Sequence, residues 1–234
     1  MLVIVLALCA SLSACGSSSP STTSPSPTLS PKAELAAMRS AARSQHSVHT
    51  VSVSSAPGHE IRIVSDVGEK EGILRITLTD HGQTGAATVI VSGDTAFMRG
   101  NAFAMRTYFS FTKAQATKYA GKWISVPSLN PGYATVSDDG TFPSFLSHLF
   151  PPQEKLSLVT VAGLIGVRGT VHGQSGDTAT ATLFAPADGK PLPVKEIAKS
   201  SGKLGAGVVT MSDWNEAVHV SAPKAVSILI VVGG

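Results

Sequence analysis

Cysteine and charge are both scarce in this sequence. The chain of 234 residues has two cysteines, Cys9 and Cys15, and both precede residue 16. The rest of the chain therefore has no thiol for a disulfide bond or for a cysteine-based zinc site. Charged residues make up 14% of the chain, its net charge is +3, and its lysines and arginines are scattered. This distribution argues against a nucleic-acid partner.

Long apolar runs are also missing. The first ten residues, MLVIVLALCA, match the length of the apolar region of a secretory signal peptide. A membrane-spanning helix would need about 20 apolar residues. The segment lacks the positive charge that usually opens a signal peptide, since no lysine or arginine precedes Lys32. Near the other end, the apolar run at residues 228–232 is again too short to span a membrane and is a candidate final strand.

The apolar leader ends at Leu12-Ser13-Ala14-Cys15-Gly16, which looks like a bacterial lipobox. That resemblance implies a signal peptide over residues 1–14, cleavage before Cys15, and a diacylglycerol on its sulfur. The alternative is an ordinary signal peptide with an incidental cysteine. Residues 15–30 are rich in serine, threonine and proline, and such a segment buries too little apolar surface to fold. We expect a disordered tether and a lipid anchor on the outer face of the cell membrane.

Residues 31–234 suit a single domain. Ser30 and Pro31 predict the start of a helix that runs to about residue 45. Alternating apolar residues then predict two sets of strands with two short helices between them. The strands are expected at 48–54, 60–66, 72–80, 87–92, 95–99, 122–127, 156–163, 165–173, 177–186, 192–200, 205–214 and 217–223, and the short helices at 113–120 and 142–150. This order predicts an α+β fold with one large antiparallel sheet and helices packed on one face.

Recognisable catalytic motifs are lacking. Neither a phosphate-binding loop nor a dinucleotide fingerprint occurs, and Asp177 stands where Gly-x-Ser-x-Gly would need its last glycine. His46 and His49 have no further ligands at metal-binding spacing. Asp138-Asp139-Gly140 lacks the alternating carboxylates of a calcium loop and indicates a turn. We therefore expect no enzymatic activity, no cofactor and no metal site.

Several short segments resemble one family when they are taken in order. After the lipobox and tether come VSGDTAFMRG at 91–100, KYAGKWI at 118–124, LPV at 192–194 and SDW at 212–214. Together they resemble the actinobacterial LppX/LprG-type lipoproteins, which share the fold of the lipoprotein carrier LolA. The resemblance covers nearly the whole domain. It implies a strongly curved antiparallel half-barrel, helices on its concave face, and acyl chains of lipids or lipoglycans held between them. Cys15 is the one functional residue that it carries over.

An apolar cavity between sheet and helices would bind acyl chains, because each buried methylene contributes about 0.8 kcal/mol. The candidate lining residues are Ile61, Ile63, Leu74, Ile76, Leu78, Val89 and Val91 from strands, and Phe97, Phe103, Phe142, Phe145, Leu146 and Leu149 from the helix side. Each of these residues could equally be plain core. Two functions stay open: a monomeric anchored lipoprotein that carries or presents an acylated lipid or lipoglycan, or an anchored interaction module with a filled core.

Overall fold

Most of the protein consists of consecutive β-hairpins. The computed structural model describes residues 29–150, 154–172, 178–200 and 205–227. The predicted signal peptide, Cys15, most of the tether and residues 228–232 lie outside them. The strands are β1 (Ser47–Ala56), β2 (His59–Gly68), β3 (Glu71–Asp80), β4 (Gln83–Ser92), β5 (Thr95–Gly100), β6 (Ile124–Pro127), β7 (Glu154–Val161), β8 (Leu164–His172), β9 (Thr178–Pro186), β10 (Lys195–Ser200), β11 (Ala206–Ser212) and β12 (Val226–Ser227).

The described helices are α1 (Pro31–Arg43), α2 (Ala102–Thr107), α3 (Lys113–Tyr119), α4 (Tyr133–Ser137) and α5 (Phe142–Leu149). Polar side chains cap three of them. The Ser30 hydroxyl accepts a hydrogen bond from the backbone N–H of Ala33, as the sequence predicted. Asn101 caps α2, and Thr112 forms a capping box at α3. Helices α2 and α4 were not predicted, because neither is long enough to show a helical period.

All twelve strands lie in one sheet, in the order β12-β6-β5-β4-β3-β2-β1-β11-β10-β9-β8-β7. Strands β1 to β6 form one meander, and β7 to β11 form a second that returns to pair β11 with β1. These eleven strands are antiparallel to their neighbours, whereas the short β12 runs parallel to β6. The sheet does not close, and the helices pack on one of its faces, here called the inner face. The α+β half-barrel expected from the sequence is confirmed.

Two separate hydrophobic cores cover the inner face. The first core joins β3–β6 to α2, α3 and α4, and its buried members include Leu74, Ile76, Leu78, Ala87, Val89, Val91, Met98, Met105, Phe109 and Ile124. The second core joins α1 and α5 to β8, β9 and the ends of β1, β2 and β11, through Leu35, Met38, Val48, Val67, Phe142, Phe145, Leu149, Val167, Leu183 and Met211. The helices thus form two groups, with the middle of the sheet between them.

One predicted strand is wrong. Residues 217–223 were expected to form a strand, but the chain runs from 213 to 225 without regular structure. Asp213 and Asn215 both adopt positive φ angles, which turn the chain off β11. It then passes to the outer face, where the side chain of Val218 lies against Gly68. The alternating apolar residues that predicted a strand at 217–223 thus belong to a segment that packs on a face of the sheet. No helix in the described parts of the chain has both the length and the apolar character needed to cross a membrane.

Candidate functional site

The middle of the inner face carries a row of residues supplied by four neighbouring strands. Strand register places Ile63 of β2 opposite Ser52 of β1, Ser52 opposite Val209 of β11, and Val209 opposite Glu196 of β10. Paired residues in an antiparallel sheet point to the same face. One step along, Thr50 of β1 pairs with Ser65 of β2. We call the space above these six residues, between the two cores, the central gap.

Helix α5 covers part of the central gap and encloses a cavity of about 110 Å3. Phe145, His148 and Leu149 face it from α5, and Asp139 joins them from the turn between α4 and α5. All six residues of the gap line its floor. The cavity thus lies at the edge of the second core. That core supplies its helix wall, and the strands of the central gap supply its floor.

The floor is polar as well as apolar. The hydroxyl oxygens of Thr50 and Ser65 lie 2.6 Å apart in a buried hydrogen bond. The carboxyl of Glu196 makes no hydrogen bond or ion pair among the described residues, and burial raises its pKa from 4.5 to about 7. The cavity therefore presents hydroxyl groups and a carboxyl that is half-protonated near neutral pH, beside the apolar side chains of Ile63 and Val209.

A histidine hydrogen-bonded to an aspartate stands at the mouth of the cavity. Nδ1 of His148 lies 2.6 Å from Oδ1 of Asp139, and Nε2 lies 3.7 Å from Oδ1 of Asp138. The hydrogen bond to Asp139 is the main cause that raises the pKa of His148, and burial partly opposes it. Both ring nitrogens thus face carboxylates. Within the described parts of the chain, His148 makes no hydrogen bond to a serine or threonine hydroxyl, so these residues do not assemble a nucleophile–base pair.

The residues predicted to line a cavity divide into four groups. Ile63, Phe145 and Leu149 line the cavity beneath α5. Leu74, Ile76, Leu78, Val89 and Val91 belong to the filled first core, where each is at most 2% exposed, and Ile61 and Phe103 pack at its margin. Phe142 is buried in the second core, and Leu146 packs against it. Phe97 pairs with Ile90 and Ser125 on the outer face, so it cannot line a cavity on the inner face.

Sequence reasoning missed the polar members of the site: Thr50, Ser52, Ser65, Asp139, His148 and Glu196. In β1 the valines alternate with serine and threonine, and such a pattern normally directs the valines to the core. Val48 follows this pattern in the second core, but beyond it the structure shows the reverse, because Thr50 is 4% exposed whereas Val51 is only half-buried on the outer face. Glu196, inside the predicted strand at 192–200, was one signal of a polar position in the sheet.

Of the comparisons with known proteins, the comparison with solved structures found a match. No family model and no curated protein matches this chain. Among solved structures, the crystal structure of LprF from Mycobacterium bovis is similar, with a TM-score of 0.48 and 16% identity, over 82% of this chain and 96% of LprF. LprF is an LppX/LprG-family lipoprotein, the family that the sequence resembles. At this TM-score and identity the match assigns no ligand or binding residue to this chain.

Proposed function

We propose that this protein is a lipid-anchored, non-catalytic protein of the outer face of the cell membrane. It binds an acylated lipid or lipoglycan in the central gap, for carriage or presentation. The observation that carries the proposal is the division of the helices into two groups, which leaves the sheet between them covered only by α5. A sheet face that lies between two apolar cores and that the helices do not fully cover is a place for a ligand with an acyl chain and a polar group.

The size of the cavity requires α5 to move. Ligand pockets usually measure about 300–1,000 Å3, whereas the cavity under α5 measures about 110 Å3. Helix α5 has eight residues and buries Phe142, Phe145 and Leu149. Lifting α5 from the sheet would enlarge the cavity above the six residues of the central gap. An acyl chain would then replace the lost contacts, at about 0.8 kcal/mol for each methylene it buries.

The polar floor suits the part of an acylated ligand where the chain meets its head group. Thr50 and Ser65 share one hydrogen bond between their hydroxyls, and the hydroxyl that accepts it keeps its own proton free to donate to an ester or amide carbonyl. The protonated carboxyl of Glu196 can donate as well, and in its ionised form it accepts from sugar hydroxyls. A few polar groups within a largely apolar pocket commonly fix the orientation of a ligand. The residues therefore favour an acyl ester or acylated sugar over a pure hydrocarbon.

A second function is favoured by the first core. Its members Leu74, Ile76 and Leu78 are each 2% exposed, so the part of the inner face that they occupy is filled. If α5 stayed closed, the domain would be an anchored interaction module with a filled core. The two functions differ in one measurable property, which is acyl-chain binding in the central gap.

Neighbouring residues of β1 provide a matched test. Ser52 lies on the floor of the cavity, and Val53 points to the other face of the same strand. Both are half-buried. We expect Ser52→Trp to fill the gap and weaken binding of a phospholipid with a pyrene-labelled acyl chain by at least about tenfold. We expect Val53→Trp to bind within about twofold of the parent. Equal binding by both folded variants, checked by thermal unfolding, would contradict the site.

The anchor is tested by fractionation. Cys15→Ser removes the sulfur that would carry the diacylglycerol, and lipid attachment through a thioether has no other acceptor at this position. We expect the variant to leave the membrane fraction of an actinobacterial host and to appear in the soluble fraction. Retention of the serine variant in the membrane fraction would contradict the anchor while leaving the lipid-binding proposal intact.

A further inference from the structure

Two histidines and one aspartate meet at the ends of two adjacent hairpins. His59 is the first residue of β2, and strand register places it opposite Asp80, the last residue of β3. His81 follows in the turn to β4 with a φ of 46°, and its backbone N–H donates to the carbonyl of Gly58 at 2.8 Å. The β1–β2 turn and the β3–β4 turn are thereby fastened side by side, with all three side chains on them.

The three side chains converge on one point. Nδ1 of His59 lies 2.8 Å from Oδ1 of Asp80, and Nδ1 of His81 lies 2.5 Å from the same oxygen. The two imidazole rings stand edge to face with their centroids 4.5 Å apart. All three ligand atoms lie within 4.8 Å of one another. The imidazoles are half or more exposed, so solvent has free access to this point.

We propose that His59, Asp80 and His81 bind a divalent transition-metal ion of the zinc class. Neutral imidazole nitrogen and carboxylate oxygen are both zinc ligands, and two of the former with one of the latter form a recurrent zinc set. A tetrahedral zinc ion with bonds of about 2.0–2.2 Å spaces its ligand atoms by about 3.4 Å. The two nitrogen–oxygen distances seen here, 2.8 Å and 2.5 Å, are shorter than this spacing, so small rotations that move the side chains apart would admit the ion. The fourth position stays open to water or to a donor from another molecule.

The backbone around this cluster limits how far the ligands can separate. The register pair between His59 and Asp80 belongs to the β2–β3 ladder, which continues for nine residue pairs. Gly58 lies directly under the ring of His81, since an added Cβ would stand 3.3 Å from its Nε2. This glycine lets the two turns approach, and its φ of 79° is one that side chains rarely adopt. A preformed set of ligands loses less entropy on binding an ion.

Each of the other groups of histidine and carboxylate in the described structure supplies a single imidazole. His46 meets only Glu69, at 2.9 Å. His148 meets Asp138 and Asp139, and this group supplies a single imidazole. Zinc prefers nitrogen ligands more than calcium or magnesium does. The site with two imidazoles is therefore the one that favours a transition metal, and His46 provides a matched control. This inference is independent of the proposed function.

Isothermal titration of the chelator-treated protein with zinc chloride tests the proposal. We expect one ion to bind per chain, and His59→Ala and His81→Ala each to weaken binding at least about tenfold. His46→Ala should bind within about twofold of the parent. Cobalt(II) substitution should give visible absorption bands that His81→Ala loses. A titration unchanged in the His59→Ala/His81→Ala double variant, or weakened by His148→Ala instead, would overturn the assignment.

Discussion

Glu196 lies in the candidate site, and its replacement by glutamine should change how the free energy of unfolding depends on pH. The carboxyl lies on the floor of the cavity between Val209 and Leu183 of the neighbouring strands. Burial is the only cause that shifts its pKa, which rises from 4.5 to about 7. A shift caused by burial alone means that the folded state binds the proton more tightly than the unfolded state does. Ionisation of Glu196 therefore opposes folding.

The size and sign of the effect follow from this shift. In the unfolded chain the carboxyl ionises near pH 4.5, whereas in the folded protein it stays protonated up to about pH 7. The free energy of unfolding thus falls as the pH rises from about 4.5 through about 7, by about 3 kcal/mol in total. Glu196→Gln keeps the shape of the side chain and cannot ionise. Relative to the parent, it should become more stable by this amount between pH 4 and pH 8.

Urea unfolding of parent and variant at pH 4, 6 and 8 measures the difference directly. Titration of the shared groups, such as His148, largely cancels because the two proteins are compared at each pH. Glu60→Gln on the exposed start of β2 serves as a control. A stability difference between Glu196→Gln and the parent that stays constant from pH 4 to pH 8 would refute a largely buried carboxyl without a partner among the described residues.

Two further predictions concern packing. Met38 of α1 is 0% exposed in the second core, so Met38→Ala should lower the free energy of unfolding by about 2–5 kcal/mol in urea titrations; a loss below about 1 kcal/mol would mean that α1 is loosely packed. At Gly72 an added Cβ would meet the carbonyl oxygen of Gly140, and Gly72→Ala should cost about 1–3 kcal/mol. At Gly207 the nearest atom is 3.9 Å away, and Gly207→Ala should stay within about 0.5 kcal/mol. Equal effects of the two glycine changes would contradict the contact between β3 and the turn that precedes α5.

The sequence allowed the fold class to be predicted because local signals were consistent with one another. Alternation located most strands, and Ser30 and Thr112 marked two helix starts that the structure confirms. The pairing of β11 with β1, which makes one sheet of two meanders, depends on contacts about 160 residues apart in sequence. No local sequence pattern indicates a contact between residues so far apart. The order of elements predicted one large sheet without specifying this pairing.

The candidate site was harder to predict than the fold. Period-two alternation states which residues share a face but not which face is covered. In β5 the aromatic Phe97 looked like a core residue, yet its neighbours Ala96 and Met98 are the buried ones. The polar row in β1 went unnoticed for the same reason, since it faces helices that pack from distant parts of the chain. The side on which helices pack is a tertiary property, and single-strand patterns do not contain it.

Native mass spectrometry tests the central claim most directly. Cys15→Ser protein would be purified without detergent from an actinobacterial host, alongside the same protein with Ser52→Trp added. We predict an adduct with the mass of an acylated lipid or lipoglycan on the first protein, lost on denaturation and strongly reduced by Ser52→Trp. A single ligand-free mass for both folded proteins would contradict lipid binding in the central gap and favour the interaction module.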